Sequence, residues 1–153
     1  MAINDESLKG LKKAVELSPD NLPLREHYAD SLYSLGHFEE AEKEYSFVLK
    51  LEPESKNIKC SLAASFYQLG KYAQAFVIVE DLIKGAEPPA RAHLIYSRLL
   101  LNDGQSSMAK EEYVKAIQID PGLKDRALAE RLGVKIEDEL RKEIPEVKPE
   151  NRE

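Results

Sequence analysis

Residues 63–75 read AASFYQLGKYAQA, and this stretch decides the fold because it recurs at a fixed distance on either side. The matching stretches are ADSLYSLGHFEEA at 29–41 and SRLLLNDGQSSMA at 97–109. All three have a glycine at the eighth place and an alanine at the last place, so the chain repeats every 34 residues. Self-similarity at such a period is typical of proteins built from stacked repeats.

Each copy of the repeat predicts two helices joined by a turn. Before the glycine of the first copy, Tyr28, Leu32 and Leu35 follow the spacing of one helix face. Gly36 then ends the helix, because glycine adopts the left-handed conformation without strain. A small residue recurs at one point of both helices, which lets the two backbones approach closely. These small residues are Ala29 and Ala41, Ala63 and Ala75, and Ser97 and Ala109.

Shorter apolar patterns flank the three copies. Residues 7–17 predict a helix that covers the open face of the first copy, and residues 124–132 predict a closing helix, since the ends of a stacked array need covering. In the charged tail, Ile136, Leu140 and Ile144 predict one short helix before Pro145. We therefore divide the chain into a capping helix within 1–20, three units at 22–55, 56–89 and 90–123, a second capping helix within 124–133, and a charged tail or linker at 134–153.

A 34-residue helix–turn–helix with recurring small, aromatic, glycine and proline positions resembles the tetratricopeptide repeat (TPR). The resemblance covers residues 22–123 and implies an all-α, right-handed α-solenoid of three helix–turn–helix units. One set of equivalent positions departs from the family pattern. Arg25, Lys59 and His93 stand where the family often has an aromatic residue early in the first helix. We expect these three positions to be exposed.

The composition excludes several classes of function. The net charge of −6 and the pI near 5.2 argue against nucleic acid as the main ligand, because binding phosphates needs a basic surface. No apolar run is long enough to span a membrane. The single cysteine, Cys60, fits a reducing compartment, and the acidic N-terminus is unlike a signal peptide. We therefore expect a cytoplasmic protein.

The sequence predicts no enzyme. His27, His37 and His93 fall at separate places of the repeat, which predicts partly exposed surface histidines rather than a metal site. The paired glutamates at 39–40 and 111–112 diverge on their helices, which favours a solvated face. No glycine-rich phosphate-binding loop is present. We expect neither a catalytic residue nor a cofactor nor a metal.

The resemblance implies that the first helices of the units line a concave surface that binds peptides or helices. Counting by repeat position gives a polarised lining, with carboxylates at one end and two arginines at the other. We expect a protein or peptide partner with an acidic group near Arg91 and Arg98. For Cys60, filling space is the alternative to contacting the partner. The predicted partner-binding residues are Glu26, Asp30, Tyr33, Asn57, Cys60, Tyr67, Arg91, Leu94, Arg98 and Asn102.

One TPR subclass clamps the C-terminal carboxylate of heat-shock chaperones with basic and amide side chains. Here the matching places hold Glu26, Asp30, Ser61, Arg91 and Ile95, and only Arg91 fits. Two carboxylates at these places would repel the carboxylate of such a ligand. We therefore do not expect this clamp.

The sequence thus predicts a protein-binding adaptor or scaffold. A secretion-type chaperone of similar length, with three TPR units, is a variant of this interpretation. Two alternatives remain open. The chain is the N-terminal TPR region of a larger chaperone or ATPase machine, or it is a self-assembling homo-oligomeric scaffold.

Overall fold

The computed structural model describes residues 3–141, and within this range it contains nine α-helices, one 3₁₀ turn and no strand. The predicted tail beyond residue 141 lies outside the described residues. The 3₁₀ turn Pro121–Leu123 separates the seventh and eighth helices. The helices are α1 Asp5–Leu17, α2 Leu22–Ser34, α3 Phe38–Leu51, α4 Lys56–Gln68, α5 Tyr72–Lys84, α6 Ala90–Asn102, α7 Ser106–Ile119, α8 Arg126–Leu132 and α9 Ile136–Arg141.

The turn inside each helix pair depends on a glycine in the left-handed region. Gly36, Gly70 and Gly104 have φ values of +83°, +71° and +78°. At the first turn, the N–H of His37 donates to the carbonyl of Leu32 at 2.9 Å, and the N–H of Gly36 donates to that of Tyr33 at 3.0 Å. These two bonds form a Schellman motif, and the same pair of bonds recurs at the other two glycines. The sequence therefore sets an identical turn three times.

The two helices of each pair approach at the small residues. Ala29 and Ala41, Ala63 and Ala75, and Ser97 and Ala109 are all fully buried, at 0 % exposure. In the third pair the Ser97 hydroxyl donates to the backbone carbonyl of Ala109 at 2.6 Å. A side-chain oxygen reaches the facing backbone directly only when the two helices are close together. A larger side chain at these points would separate the helices.

Each helix from α1 to α7 contacts the helices next to it in sequence, α8 and α9 both pack on α7, and α4 also contacts α6, so the pairs form a stack. Three apolar clusters fill the stack in order. The first joins α1 to α4 and includes Val15 and Leu32, the second is centred on Val79, and the third includes Tyr113 and Leu128. Because α4 adjoins α6 and bonds to α2 through Asn57 and Gln68, the first helices of neighbouring pairs form one continuous face. The predicted partner-binding residues lie on the helices of this face.

The connection between α5 and α6 differs from the others because the middle copy lacks the proline that the other two copies have at this position. Glu87 occupies that position and has a φ of +48°, which is unusual for a residue with a side chain. The Lys56 ammonium group donates to the carbonyl of Ala86 at 2.6 Å and thereby ties this loop to the start of α4. The loop holds α6 in the stack without proline at the family position.

Ala75→Leu should lower the free energy of unfolding by about 1–3 kcal/mol, because the added atoms overpack the fully buried contact between α4 and α5. Urea denaturation measures this difference. Gln74→Leu is the matched control, since its neighbouring position on α5 is exposed. Equal stability of Ala75→Leu and the unsubstituted protein would show that this alanine does not lie at a close contact between the helices.

Candidate functional site

All ten predicted partner-binding residues lie on the first helices α2, α4 and α6, but they differ in accessibility. Eight are exposed or half-buried. Cys60 and Leu94 lie in the core instead, at 1 % and 9 % exposure. These two occupy equivalent positions, and both pack in the apolar clusters between neighbouring helices. The accessible residues are Glu26, Asp30, Tyr33, Asn57, Tyr67, Arg91, Arg98 and Asn102.

Cys60 does not offer its thiol to a partner at this surface. Burial raises the pKa of the thiol, although the nearby charge of Arg91 acts in the opposite direction. A buried thiol with a raised pKa is a poor nucleophile and a poor metal ligand. The interpretation of Cys60 as a side chain that fills space therefore fits the structure, and the interpretation as a contact residue does not.

Four polar side chains form a hydrogen-bonded ladder across α2, α4 and α6, and we call Glu26, Asn57, Ser61 and Arg91 the polar ladder. The Asn57 amide donates to Glu26 Oε1 at 2.9 Å, and Arg91 Nη1 donates to Asn57 Oδ1 at 3.1 Å. Both terminal nitrogens of Arg91 also donate to the Ser61 hydroxyl at 3.3 Å. The ladder links one helix of each pair, which positions the Arg91 guanidinium group over α4.

The first of two groove cavities, the N-terminal cavity, adjoins this ladder and has a volume of about 290 Å³. It is lined by Asp30, Tyr33, Ser34, Tyr45, Asn57, Ser61 and Arg91. The Tyr45 hydroxyl donates to Asp30 Oδ1 at 2.5 Å. Burial, together with the bond to Asp30 and its negative charge, raises the pKa of Tyr45, so the phenol stays protonated and remains a donor. The cavity wall is therefore polar and carries both signs of charge.

The second cavity, the C-terminal cavity, has a volume of about 300 Å³ and lies between α4, α6 and α8. It is lined by Tyr67, Gln68, Arg98, Asp125, Ala127, Leu128 and Arg131. Arg98 Nη2 donates to Asp125 Oδ2 at 3.0 Å, so a carboxylate within the chain already pairs with this arginine. The hydrogen bond from the Leu128 N–H, assisted by Arg98, holds the pKa of Asp125 below its usual value. An acidic group of a partner near Arg98, as predicted, would therefore compete with Asp125 for this arginine.

The tyrosines Tyr33 and Tyr67 occupy equivalent positions and are held in the same way. The Tyr33 ring meets the edge of Phe38 at a centroid distance of 5.1 Å, and the Tyr67 ring packs at a tilt on Tyr72 at 5.5 Å. The Gln68 amide, next in the chain to Tyr67, donates to the Tyr33 hydroxyl at 3.4 Å and thereby links α4 to α2. Asn102 lies apart from the rest and lines a smaller cavity of about 130 Å³ beside Tyr72.

Two pairings of a basic side chain with a glutamate occupy equivalent positions and were not predicted. His93 Nδ1 lies 2.6 Å from Glu112 Oε2, and Arg25 Nη1 lies 2.7 Å from Glu44 Oε2. Both pairs span 19 residues and join the first helix of a unit to the second. Glu112 also accepts from Lys115 at 2.7 Å.

These pairs overturn two expectations. The side chains of His93 and Glu112 are each only 9 % exposed, so neither lies on a solvated face. Arg25 is likewise mostly buried, and its guanidinium group lies 4.0 Å from the centre of the Phe47 ring. The polar residues replace the family's aromatic residue in the core because each has a charged partner there. The signal was present in the sequence as two charged pairs with the same 19-residue separation.

The described residues show no candidate metal site and no membrane-spanning helix. Within residues 3–141, no group of three or more His, Cys, Asp and Glu side chains is arranged to hold a metal ion. None of the described helices is both long and apolar enough to cross a membrane.

The stacked pairs and their lined groove define an α-solenoid of the helix–turn–helix repeat class. The family model of the tetratricopeptide repeat matches residues 90–123. A tetratricopeptide repeat protein from Parabacteroides merdae shares the fold with a TM-score of 0.67 and 17% identity, over 88% of this chain and 49% of its own. MamA from Desulfovibrio magneticus RS-1 also has a TM-score of 0.67, with 22% identity over 90% of this chain and 78% of its own. Residues 90–123 thus match a tetratricopeptide repeat, and the stack as a whole has the fold of tetratricopeptide repeat proteins, as the sequence pattern predicted.

One curated relative matches a shorter stretch. The Protein STIP1 homolog of Dictyostelium discoideum is 38% identical over 64 residues, which make up 42% of this chain and 11% of that protein. The matched segment thus spans about a tenth of the relative's length. The two structural neighbours establish the fold alone, because their sequences have diverged further.

Glu112→Ala should lower the free energy of unfolding by about 1–3 kcal/mol, because it leaves the buried His93 ring without its partner. Urea denaturation of Glu111→Ala supplies the control, since this neighbouring glutamate is exposed and carries the same charge. Glu112→Gln, which keeps an acceptor oxygen, should lose less than Glu112→Ala. If the substitutions at 111 and 112 have equal effects, the pair with His93 contributes nothing to the fold.

Proposed function

We propose that this chain is a non-enzymatic adaptor or scaffold that binds a peptide or helix segment of a partner in the groove of α2, α4 and α6. TPR folds serve as protein-interaction modules, which supports the class of function. The observation that carries the proposal for this chain is the polar ladder beside the N-terminal cavity. Its donors and acceptors are fixed by bonds across three helices, so binding a ligand costs little ordering of the receptor.

Within this proposal, Arg91 is the anchor for an acidic group of the partner. Its partners in the described part of the chain are the neutral Asn57 and Ser61, so no carboxylate compensates its charge by direct contact. Guanidinium groups bind carboxylates through paired hydrogen bonds. Arg98 has a lesser part, because a ligand would have to compete with Asp125 for it.

Tyr33 and Tyr67 supply the apolar contact area of the proposed groove. Both are half-buried, and both are braced by a second aromatic ring. Rigid tyrosines that combine an apolar ring with a polar hydroxyl are enriched where partners bind tightly. Their equivalent positions on α2 and α4 suit a ligand that crosses from one unit to the next.

The division of the chain is also a proposal, and the helix bounds support it. We assign α1 to the N-terminal cap within 1–20, three helix pairs to units 22–55, 56–89 and 90–123, and α8 to the cap within 124–133. We assign residues 134–153 to a charged tail or to a linker that leads to a larger machine. A cytoplasmic location remains a prediction from composition.

Self-association is the second candidate function, because large apolar side chains are exposed at the C-terminal ends of helices α1 and α7. Leu17 at the end of α1 and Ile119 at the end of α7 are 77 % and 58 % exposed. Exposed apolar residues of this kind form contacts between copies when they are gathered in one patch. Sedimentation over a range of concentrations distinguishes this candidate, since an adaptor stays monomeric in the absence of its partner.

A proteome-derived peptide display selection tests the groove. It is run on the unsubstituted protein, on Tyr33→Ala/Tyr67→Ala, and on Val77→Ala as a control at an exposed position of the second helix α5. The expected result is a set of peptides that the unsubstituted protein and Val77→Ala both enrich and that the tyrosine variant loses. Thermal unfolding confirms that all three proteins are folded. Enrichment that the tyrosine substitutions leave unchanged would place binding outside the groove.

A further inference from the structure

Opposite charges line the N-terminal cavity without pairing with each other. Asp30 on α2 and Arg91 on α6 both face this cavity of about 290 Å³, and Glu26 adjoins it through the polar ladder. Among residues 3–141, none of these three side chains belongs to an ion pair. Elsewhere in the same stack, charged side chains of neighbouring helices do pair, as Arg25 does with Glu44. A feature of this cavity must therefore keep the two carboxylates from pairing with the arginine.

Neutral side chains hold the charges apart. Asn57 lies between Glu26 and Arg91 and bonds to both, accepting from the arginine and donating to the glutamate. Ser61 accepts from the other side of the guanidinium group. The Tyr45 hydroxyl occupies one oxygen of Asp30. Each charged group is thus oriented by a neutral partner rather than neutralised by an opposite charge.

Each charged group also keeps unused bonding capacity. Glu26 uses Oε1 and Asp30 uses Oδ1 in the bonds given above, while the described part of the chain supplies no bond to Glu26 Oε2 or Asp30 Oδ2. In the same range, Arg91 Nε donates to no protein group. A charge that retains free donors or acceptors at an open cavity can pair with a ligand without first breaking an internal ion pair.

We propose that the segment bound in the groove carries a basic side chain close to an acidic one, with the basic group over α2 and the acidic group over α6. This rests on the proposed groove function and specifies the partner's chemistry. The basic group pairs with Asp30 and Glu26, and its alkyl stem lies along the Tyr33 ring. The acidic group pairs with Arg91. A wholly acidic segment meets the two carboxylates, and a wholly basic one meets Arg91, so both are disfavoured.

Coupling measurements between protein and peptide test this charge order. The probe is the peptide that the unsubstituted protein enriches most from a random library displayed on phage. Two variants of this peptide are also made, one with its basic residue and one with its acidic residue replaced by Gln. The protein variants are Asp30→Asn, which keeps an acceptor for the Tyr45 hydroxyl, and Arg91→Gln, which keeps a donor for Ser61. Calorimetry gives the dissociation constant of every combination, and thermal unfolding confirms that each variant is folded.

The expected result is selective coupling. Asp30→Asn and loss of the peptide's basic residue should each weaken binding about tenfold, and together they should weaken it no further. Arg91→Gln should couple in the same way to the acidic residue and not to the basic one. A library selection on Asp30→Lys/Arg91→Glu should also enrich peptides with the opposite charge order along their chain.

The outcomes separate this inference from the groove function. The charge order is overturned, and groove binding stays intact, if the peptides lost by Tyr33→Ala/Tyr67→Ala lack the paired charges. The same holds if those peptides show no coupling to Asp30 and Arg91. Crossed coupling, with Arg91 sensitive to the basic residue, overturns it as well. If no peptide depends on either the tyrosines or the charges, the groove function itself falls and this inference falls with it.

Discussion

The close approach of two helices at a pair of small residues is the constraint on which the rest of this structure depends. None of Ala29, Ala41, Ala63, Ala75, Ser97 and Ala109 has any exposed surface, and the Ser97 hydroxyl bonds directly to the backbone of Ala109. Each contact fixes the distance between the two helices of a pair. The glycine at the eighth place of each recurring 13-residue stretch then fixes how the chain turns from the first helix to the second. With both set identically three times, the pairs stack in register.

Stacking in register places equivalent residues on adjacent helices side by side, and the function proposed here follows from this arrangement. Asn57 and Arg91 are equivalent residues of neighbouring units, and they bond to each other directly. Tyr33 and Tyr67 are likewise equivalent, and each packs on the aromatic residue that opens the following helix. The groove is thus a consequence of the repeat. Its chemistry comes from the residues that differ between units, above all Asp30, Ala64 and Arg98 at one shared position.

The sequence predicted the fold because its determinants are local. A glycine followed by a helix start, or an alanine opposite an alanine, can be recognised from spacing alone, and the three turns and three close contacts lie where the spacing put them. The accessible groove residues follow from the same counting. Cys60 and Leu94 were misplaced because counting assigns a helix face but does not show how deeply the neighbouring unit covers it.

The pairings of charged residues were harder to predict, because they depend on tertiary positions. Asp125 reaches Arg98 only after the 3₁₀ turn Pro121–Leu123 has redirected the chain. This turn is not part of the repeat, so counting by repeat position does not predict the contact. His93 and Glu112 are polar, which suggested a solvated face, yet each compensates the cost of burying the other. Charge partners therefore have to be sought between units and between helices, not along one helix.

If the first helices of the stacked pairs form the binding surface, chemical-shift mapping by nuclear magnetic resonance should show it directly. The most enriched displayed peptide is added to the ¹⁵N-labelled chain, and the backbone amide signals are followed. The changes are expected to concentrate in α2, α4 and α6 and to include the side-chain amides of Asn57 and Gln68. Changes concentrated in α3, α5 and α7, with the first helices unaffected, would contradict it.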